Sequence, residues 1–559
     1  SLPHSLYGYP KGYMRSGSAA LSHYGMKLVE VDTAPLSVVE FSKILQNHYC
    51  ADTCDVSSVE RLNEGGSKAV YKVILCLKEG TKFVYTPGDS ISLICSNTDD
   101  DVSWLLDHTD LEGISPDQPL LISKEQPKKS TSGLPRNACI SPRLLIRHFL
   151  ELHAPASRRT LNLLANHFNS DTCSTTRVQK ALLHQLIARE GVPLYNRWIR
   201  DNNMTIMDIL ATFDACHPTV AALLDIFPLL RPRAYSLVDE CTGCGGNSHQ
   251  ELTFVYTRVE FCATEDLGTV HGVTFRRYLR RHGTCTGWLE GLRKSLTSGS
   301  PRDDLLVSFR ENLNKFHHPS VDISSKENAP LILIAAGTGI APFISFLQYR
   351  RRQRQQGAGF QSTWLLFGCR DSYFDILFPT ALLNFLQDGT LDHLCLCFSR
   401  RPFQADSDAS LPSAPHLRGL LDRACLPQKC KYVQECMLSA DCRMTALGAD
   451  ECPADVATAF SELSMRESVH SQQLLSHADQ LAHLVMDCGA QIRVCGDAKG
   501  MGPAVASTWV ELFARRLATG SACVDRSKGQ PLLPEEIKRG QGYLAMLKQE
   551  RRYIEDVWR

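Results

Sequence analysis

"PLILIAAGTGIAPFISFL", residues 330–347, carries no charge along its whole length. It just reaches the span of a membrane helix, for which roughly 17–25 apolar residues are needed. Its interior argues otherwise: Gly337, Thr338, Gly339 and Pro342 interrupt the run where a spanning helix needs continuity. Strand-forming residues, a glycine turn and a renewed apolar stretch together predict a buried strand, a turn and a helix. No membrane segment is expected.

The same alternation continues outward. "STWLLFGC", "HLCLCFS" and "QIRVCG" each precede a loop and a helical stretch, the pattern of a doubly wound parallel sheet. Upstream, "KAVYKVILCL", "SISLIC", "RPRAYSLV" and "ELTFVYTRVEF" read as strands of a β-domain. A segment at about 140–230, with "SPRLLIRHFLEL", "ALLHQLIARE" and "TVAALLDIF" at helical spacing, interrupts it as a helical insert. Residues 1–55 lack a sustained period and read as a tail or linker. Residues 401–428 and 437–476, rich in Ala, Ser, Pro and Cys, read as insertions. The expected domains are therefore 56–325 and 326–559.

A chain of 559 residues is too long for one core. Lys+Arg and Asp+Glu balance at 60 each, so no global field recruits nucleic acid or an anionic membrane. Twenty-two cysteines without a signal peptide point to reduced thiols in the cytoplasm rather than a secreted scaffold. "CTGC" (241–244), with His249 nearby, lacks the second pair that a structural zinc needs, and no metal is expected. No nucleophile elbow supports a Ser–His–Asp triad.

The chemistry gathers at strand ends. In "AAGTGIAP", Gly337, Thr338 and Gly339 let the backbone approach a phosphate at a helix N-terminus. "FGCRD" with Arg370, "CFSR" with Ser399 and Arg400, and "KYVQ" with Lys431 follow later strands, where open α/β sheets bind ligands. Arg400 and Lys431 suit the 2′-phosphate that separates NADP from NAD. Arg233 in "RPRAYS" offers donors to a pyrophosphate, and Tyr235 a flat face to an isoalloxazine ring. "GTCTGWL" reads as a second phosphate-binding helix start, with Thr286 as a hydroxyl donor.

In order and spacing, RxYS, GxCT, GTGIAPF, FGCRD, SR, KYVQ, CGDAKGM (495–501) and the terminal DVW resemble the diflavin reductases. The FAD/NADPH half of that family is similar to ferredoxin–NADP reductase. The resemblance implies an antiparallel β-barrel FAD-binding domain with the helical insert, followed by the NADPH-binding sheet. It implies FAD at Arg233, Tyr235, Ser236, Gly283, Thr284, Cys285 and Thr286. NADPH would contact Gly337, Thr338, Gly339, Arg370, Ser399, Arg400, Lys431, Tyr432, Gln434 and Asp497. Ser236, Cys495 and Asp556 would surround the hydride path, and Trp558 would stack on the flavin from a freely swinging chain end.

Within the family, "GTCTGWL", "FGCRD", "FSR", "KYVQ" and "RRYIEDVWR" resemble most the branch that serves cobalamin-dependent methionine synthase. The implied reaction is hydride transfer from NADPH to FAD, then single-electron steps outward. Three departures stand out. Residues 1–60 cannot form the flavodoxin-like FMN domain, so FMN would act through a missing or separate carrier. Ala504 stands where relatives carry Asp, and the two insertions flank KYVQ. The competing readings are a diflavin-type reductase serving a haem or iron–sulfur protein, and a degenerate, non-catalytic binding module.

Overall fold

The computed structural model describes residues 20–21, 26–30 and 34–558, with breaks at 79, 125–133, 136–138, 169–172, 240–249, 262–265, 279–281, 300–304, 311–314, 320–328, 360, 403–414, 428–429, 440–475 and 520–530. "CTGC" and most of 437–476 thus lie outside the described residues. Contacts divide the chain into two units. One comprises 1–55, 92–234 and 258–308; the other comprises 56–91, 235–257 and 309–559.

In the second unit, five parallel strands are ordered 393–401, 363–371, 331–336, 491–497, 553–558. Numbered along the chain this is 3-2-1-4-5, the order of a doubly wound dinucleotide sheet. The apolar run at 331–335 is explained by burial of both faces. Leu331, Leu333 and Ala335 join one core with Phe343 and Phe346 of the helix Ala341–Gln355. Ile332 and Ile334 join the other, with Trp509 and Phe513 of the helix Met501–Thr519. In the same unit Val70–Leu77 pairs antiparallel with Glu251–Thr257.

The first unit is mostly helical. Pro142–Phe149, Arg158–Leu164, Ser174–Ile187, Ile206–Thr212 and Val220–Ile226 bury Phe149, Leu161, Leu183, Ile209 and Leu223 in one core. It also holds a four-stranded antiparallel sheet that includes Met26–Glu30 and Leu120–Lys124. The described strand pairs of the β-domain are antiparallel.

Two expectations are corrected here. The supposed tail contains the helix Val38–Tyr49, whose start is sealed by a reciprocal Ser37–Glu40 capping box and whose Phe41 and Leu45 are buried. The segment 401–428 contains the helix Pro415–Arg423, with Leu417, Leu420 and Leu421 in the sheet's core. Cys425 is disulfide-bonded, against the expectation of reduced thiols throughout, while fifteen described cysteines are free.

Asp208, fully buried, carries much of the order in the first unit. Its carboxylate accepts from the backbone N–H of Thr205 at 2.8 Å and of Tyr278 at 2.7 Å, tying a helix start to the chain leaving the strand Val273–Arg276. Asp208→Ala strips partners from two buried donors. It is expected to destabilise by about 2–4 kcal/mol, read as a lower urea midpoint for the helical unit's far-UV signal. An unchanged midpoint would show that the buried donors find other partners.

Candidate functional site

The second unit opens a cleft of about 540 Å³ at the carboxyl ends of its parallel strands. Gly337, Arg370, Ser399, Lys431, Tyr432, Gln434 and Asp497, all predicted from sequence, line it. The glycine turn lies at the switch point, between the strand 331–336 and its neighbour 491–497. Any Cβ on Gly339 would sit 2.2 Å from the Cys495 carbonyl oxygen, so only glycine lets the turn lie against that strand. Gly339 is therefore a packing residue, and neither it nor Thr338 lines the cleft. Asp497 accepts the Gly500 N–H at 2.7 Å and shapes the turn that closes one wall.

Lys68, Arg370 and Lys431 line the cleft with the carboxylates of Asp375 and Asp497, and the predicted Arg400 is not among its lining residues. Lys68 lines it from the turn between the strands Asp52–Arg61 and Val70–Leu77. Its ammonium is lowered by burial and by the fields of Arg370 and Arg400. Arg370 is lowered in turn by burial and by Arg400, against the opposing pull of Asp375, and its buried Nη1 has no hydrogen-bond partner among the described residues. Three cations crowding each other around an unpartnered donor are what a phosphate-sized anion relieves. These residues fit NADP. Lys68, Asn63 and Asp375 also line the cleft and were missed from sequence. Asn63 donates to Asp375 at 2.9 Å and thereby fixes that wall.

The predicted redox residues meet at the sheet's edge. Cys495 and Asp556 are register partners on adjacent parallel strands, and Ser236 Oγ donates to Asp556 Oδ2 at 3.4 Å. Burial raises the Asp556 carboxyl, against the opposing pull of Ser236 and Arg310. Burial also raises the Cys495 thiol, assisted by the Asp556 charge. Tyr235, one residue before Ser236, packs its ring 4.9 Å from Phe254.

Trp558 follows Asp556 by two positions and so shares its side of the strand. The residue is 43% exposed, large for tryptophan. The expectation of a swinging chain end is corrected. Trp558 is paired with Asp497 in the sheet, and its carbonyl accepts the Ala498 N–H at 2.8 Å.

In the first unit, Glu151 organises the residues predicted for a pyrophosphate. It is ion-paired with Arg233 and accepts from Thr284 Oγ1 at 2.6 Å. Nothing in the local sequence distinguished it. Gly283 caps the helix Thr284–Ser298 without a side-chain hydrogen bond, leaving N–H donors for an anion. Two predicted contacts are corrected. The Cys285 thiol is buried and hydrogen-bonded with Cys95, so only its backbone is available. Thr286 Oγ1 donates to the Gly283 carbonyl and accepts from the Val259 N–H, each at 3.3 Å, so it stabilises the turn.

Comparison with known proteins matches an FAD-binding domain at residues 46–274 and an oxidoreductase NAD-binding domain at 333–397. Methionine synthase reductase of Mus musculus is 29% identical over 491 residues, covering 85% of this chain and 57% of that protein. The Homo sapiens protein of the same name is 29% identical over 492 residues, covering 86% and 57%. Nitric oxide synthase of Drosophila melanogaster is 28% identical over 365 residues, covering 63% and 24%. The chain thus spans somewhat more than half the length of the methionine synthase reductases it matches. The chain thus carries an FAD-binding domain followed by an oxidoreductase NAD-binding domain, and along most of its length it is similar to methionine synthase reductases.

Proposed function

We propose that the chain is a methionine synthase reductase-type flavoprotein. It would take hydride from NADPH onto FAD in the cytoplasm and send single electrons, through a flavodoxin-like FMN carrier, to cobalamin-dependent methionine synthase. FAD would occupy an antiparallel β-barrel domain and NADPH the parallel-sheet domain. The observation that carries the reading is the pairing, within one unit, of a cation-rich cleft with the Ser236–Asp556–Cys495 group. No described helix is long and apolar enough to cross a membrane.

The cofactors, when bound, supply the hydride and electron chemistry. The residues supply placement and field. Lys68, Arg370, Arg400 and Lys431 neutralise the 2′-phosphate, while the turn around Gly337 admits the nucleotide backbone. Arg233, Thr284 and the free N–H groups after Gly283 hold the flavin's pyrophosphate. Asp556, kept close to Ser236, places negative charge where the nicotinamide becomes cationic. Cys495 adds a small, neutral thiol to that wall.

Anaerobic NADPH should bleach the yellow of the bound FAD. With a flavodoxin-like carrier and S-adenosylmethionine, the reduced protein should then reactivate cob(II)alamin methionine synthase. Bleaching without reactivation would move the assignment to a reductase serving a haem or iron–sulfur partner. That second reading draws on the likeness to nitric oxide synthase and to bifunctional P450 reductases. Failure to bleach would leave a non-catalytic binding module.

Arg400→Ala is expected to weaken 2′,5′-ADP binding about tenfold, equivalent to about 1.4 kcal/mol, and to leave NADH binding unchanged. Equal losses for both nucleotides in calorimetry would remove Arg400 from the 2′-phosphate.

A further inference from the structure

Behind the cleft, two sulfurs of one strand meet a third from a helix some forty residues on. Cys395 and Cys397 occur two apart on the strand His393–Arg401, and Cys436 lies on the short helix Val433–Met437. All three are fully buried, and their Sγ atoms lie within 4.8 Å of one another. Isolated buried cysteines act as small hydrophobes. These three are hydrogen-bonded to one another inside an apolar cluster that includes Trp364, Leu481 and Val494.

Three convergent buried sulfurs make a ligand set, and with no carboxylate among them they favour a thiophilic ion over magnesium or calcium. Metal–sulfur bonds of about 2.3 Å place ligating sulfurs roughly 4 Å apart, within a small contraction of the observed set. A nitrogen is at hand as well. His477 is fully buried, and its Nδ1 is 2.8 Å from the Cys436 carbonyl oxygen and 3.7 Å from Cys436 Sγ. Its Nε2 has no partner among the described residues.

We propose that Cys395, Cys397 and Cys436 form a structural site for one thiophilic d10 ion: Cu(I) on the three sulfurs alone, or Zn(II) with His477 as fourth ligand. Binding displaces the thiol protons to solvent. The ion would bolt the helix that begins directly after Lys431 and Tyr432 to the parallel sheet, steadying one wall of the nucleotide cleft. The site is independent of the electron acceptor and of the hydride chemistry.

The test uses the full FAD-containing chain, reduced and freed of metal, then titrated with Zn(II) against a chromophoric chelator and, anaerobically, with Cu(I) against a Cu(I)-selective one. The wild type and a Cys76→Ser control should take up about one ion per chain, and the Cys397→Ser/Cys436→Ser variant should lose it. His477→Gln separates the two ions: it should abolish Zn(II) uptake and spare Cu(I). Should the double variant fold poorly, X-ray absorption on the wild type decides by counting three sulfur neighbours about 2.3 Å from the metal. Retention of neither ion by the wild type, undiminished uptake by a folded double variant, or a metal without three sulfur neighbours would overturn the site.

Discussion

Asp556→Ala is expected to slow flavin reduction by NADPH about a hundredfold or more while leaving 2′,5′-ADP binding nearly unchanged. The two effects separate because different groups carry them. Lys68, Arg370 and Lys431, proposed to face the phosphate, line the cleft, whereas Asp556 is bonded to Ser236 and lies beside Cys495. Stopped-flow absorbance for the first and calorimetry for the second would check this; proportional losses would make Asp556 a binding residue.

The pH behaviour gives an independent handle. Burial raises the Asp556 carboxyl above its ordinary 3.8, so the folded protein holds this proton more tightly than the unfolded chain. The stability this contributes is full below the ordinary value and is lost as pH rises through the raised one. At neutral pH the buried charge therefore costs stability. Asp556→Asn should melt at a higher temperature than the wild type at pH 7 and at about the same temperature in acid, yet reduce flavin slowly. In the wild type, reduction should also slow as pH falls through the raised value, and this acid limb should vanish in Asp556→Asn. A variant both slower and less stable at pH 7 would mean that the carboxylate is chiefly structural.

The contrast between Asp556 and Lys68 shows where sequence reasoning reaches and where it stops. Asp556, Ser236 and Cys495 could be named from sequence, and their meeting is seen in the structure, because each sits in a short ordered motif at a strand end. The strand, turn and helix at 331–355 were legible because glycine and proline punctuate an otherwise continuous apolar run. Lys68, Asn63 and Asp375 carry no such punctuation, and their place in the cleft depends on how a hairpin tip packs far along the chain. Glu151 was hidden for the same reason, since its partners Arg233 and Thr284 are distant in sequence. The three-thiol cluster escaped because irregular cysteine spacing conceals a strand meeting a helix. The helix Val38–Tyr49 is a different failure. Its Ser37–Glu40 box was present in the sequence, but the apolar face behind it is narrow, with only Phe41 and Leu45 among its buried apolar residues.

Trp558→Ala is expected to raise NADP affinity about tenfold and to narrow the preference for NADPH over NADH by a similar factor. The reasoning rests on competition for one face. A ring that covers the flavin must be displaced before nicotinamide can settle there, and that cost lowers the apparent affinity of either coenzyme. NADPH recovers it through contacts of its 2′-phosphate with the cation-rich cleft, whereas NADH has no such source. Removing the ring helps both coenzymes to reach the flavin, and it helps NADH turnover more. The structure sharpens where the motion occurs. The backbone of Trp558 is held by the Ala498 N–H and by pairing with Asp497, while the residue as a whole is 43% exposed. Displacement is therefore a side-chain rotation on a fixed strand, and it should require no unzipping of the sheet. Ending the chain at Val557 should consequently reproduce the coenzyme preference of Trp558→Ala, with the rest of the strand intact. A truncated chain that loses flavin reduction while Trp558→Ala gains NADH activity would place the strand's last pairing, and not the ring, in control.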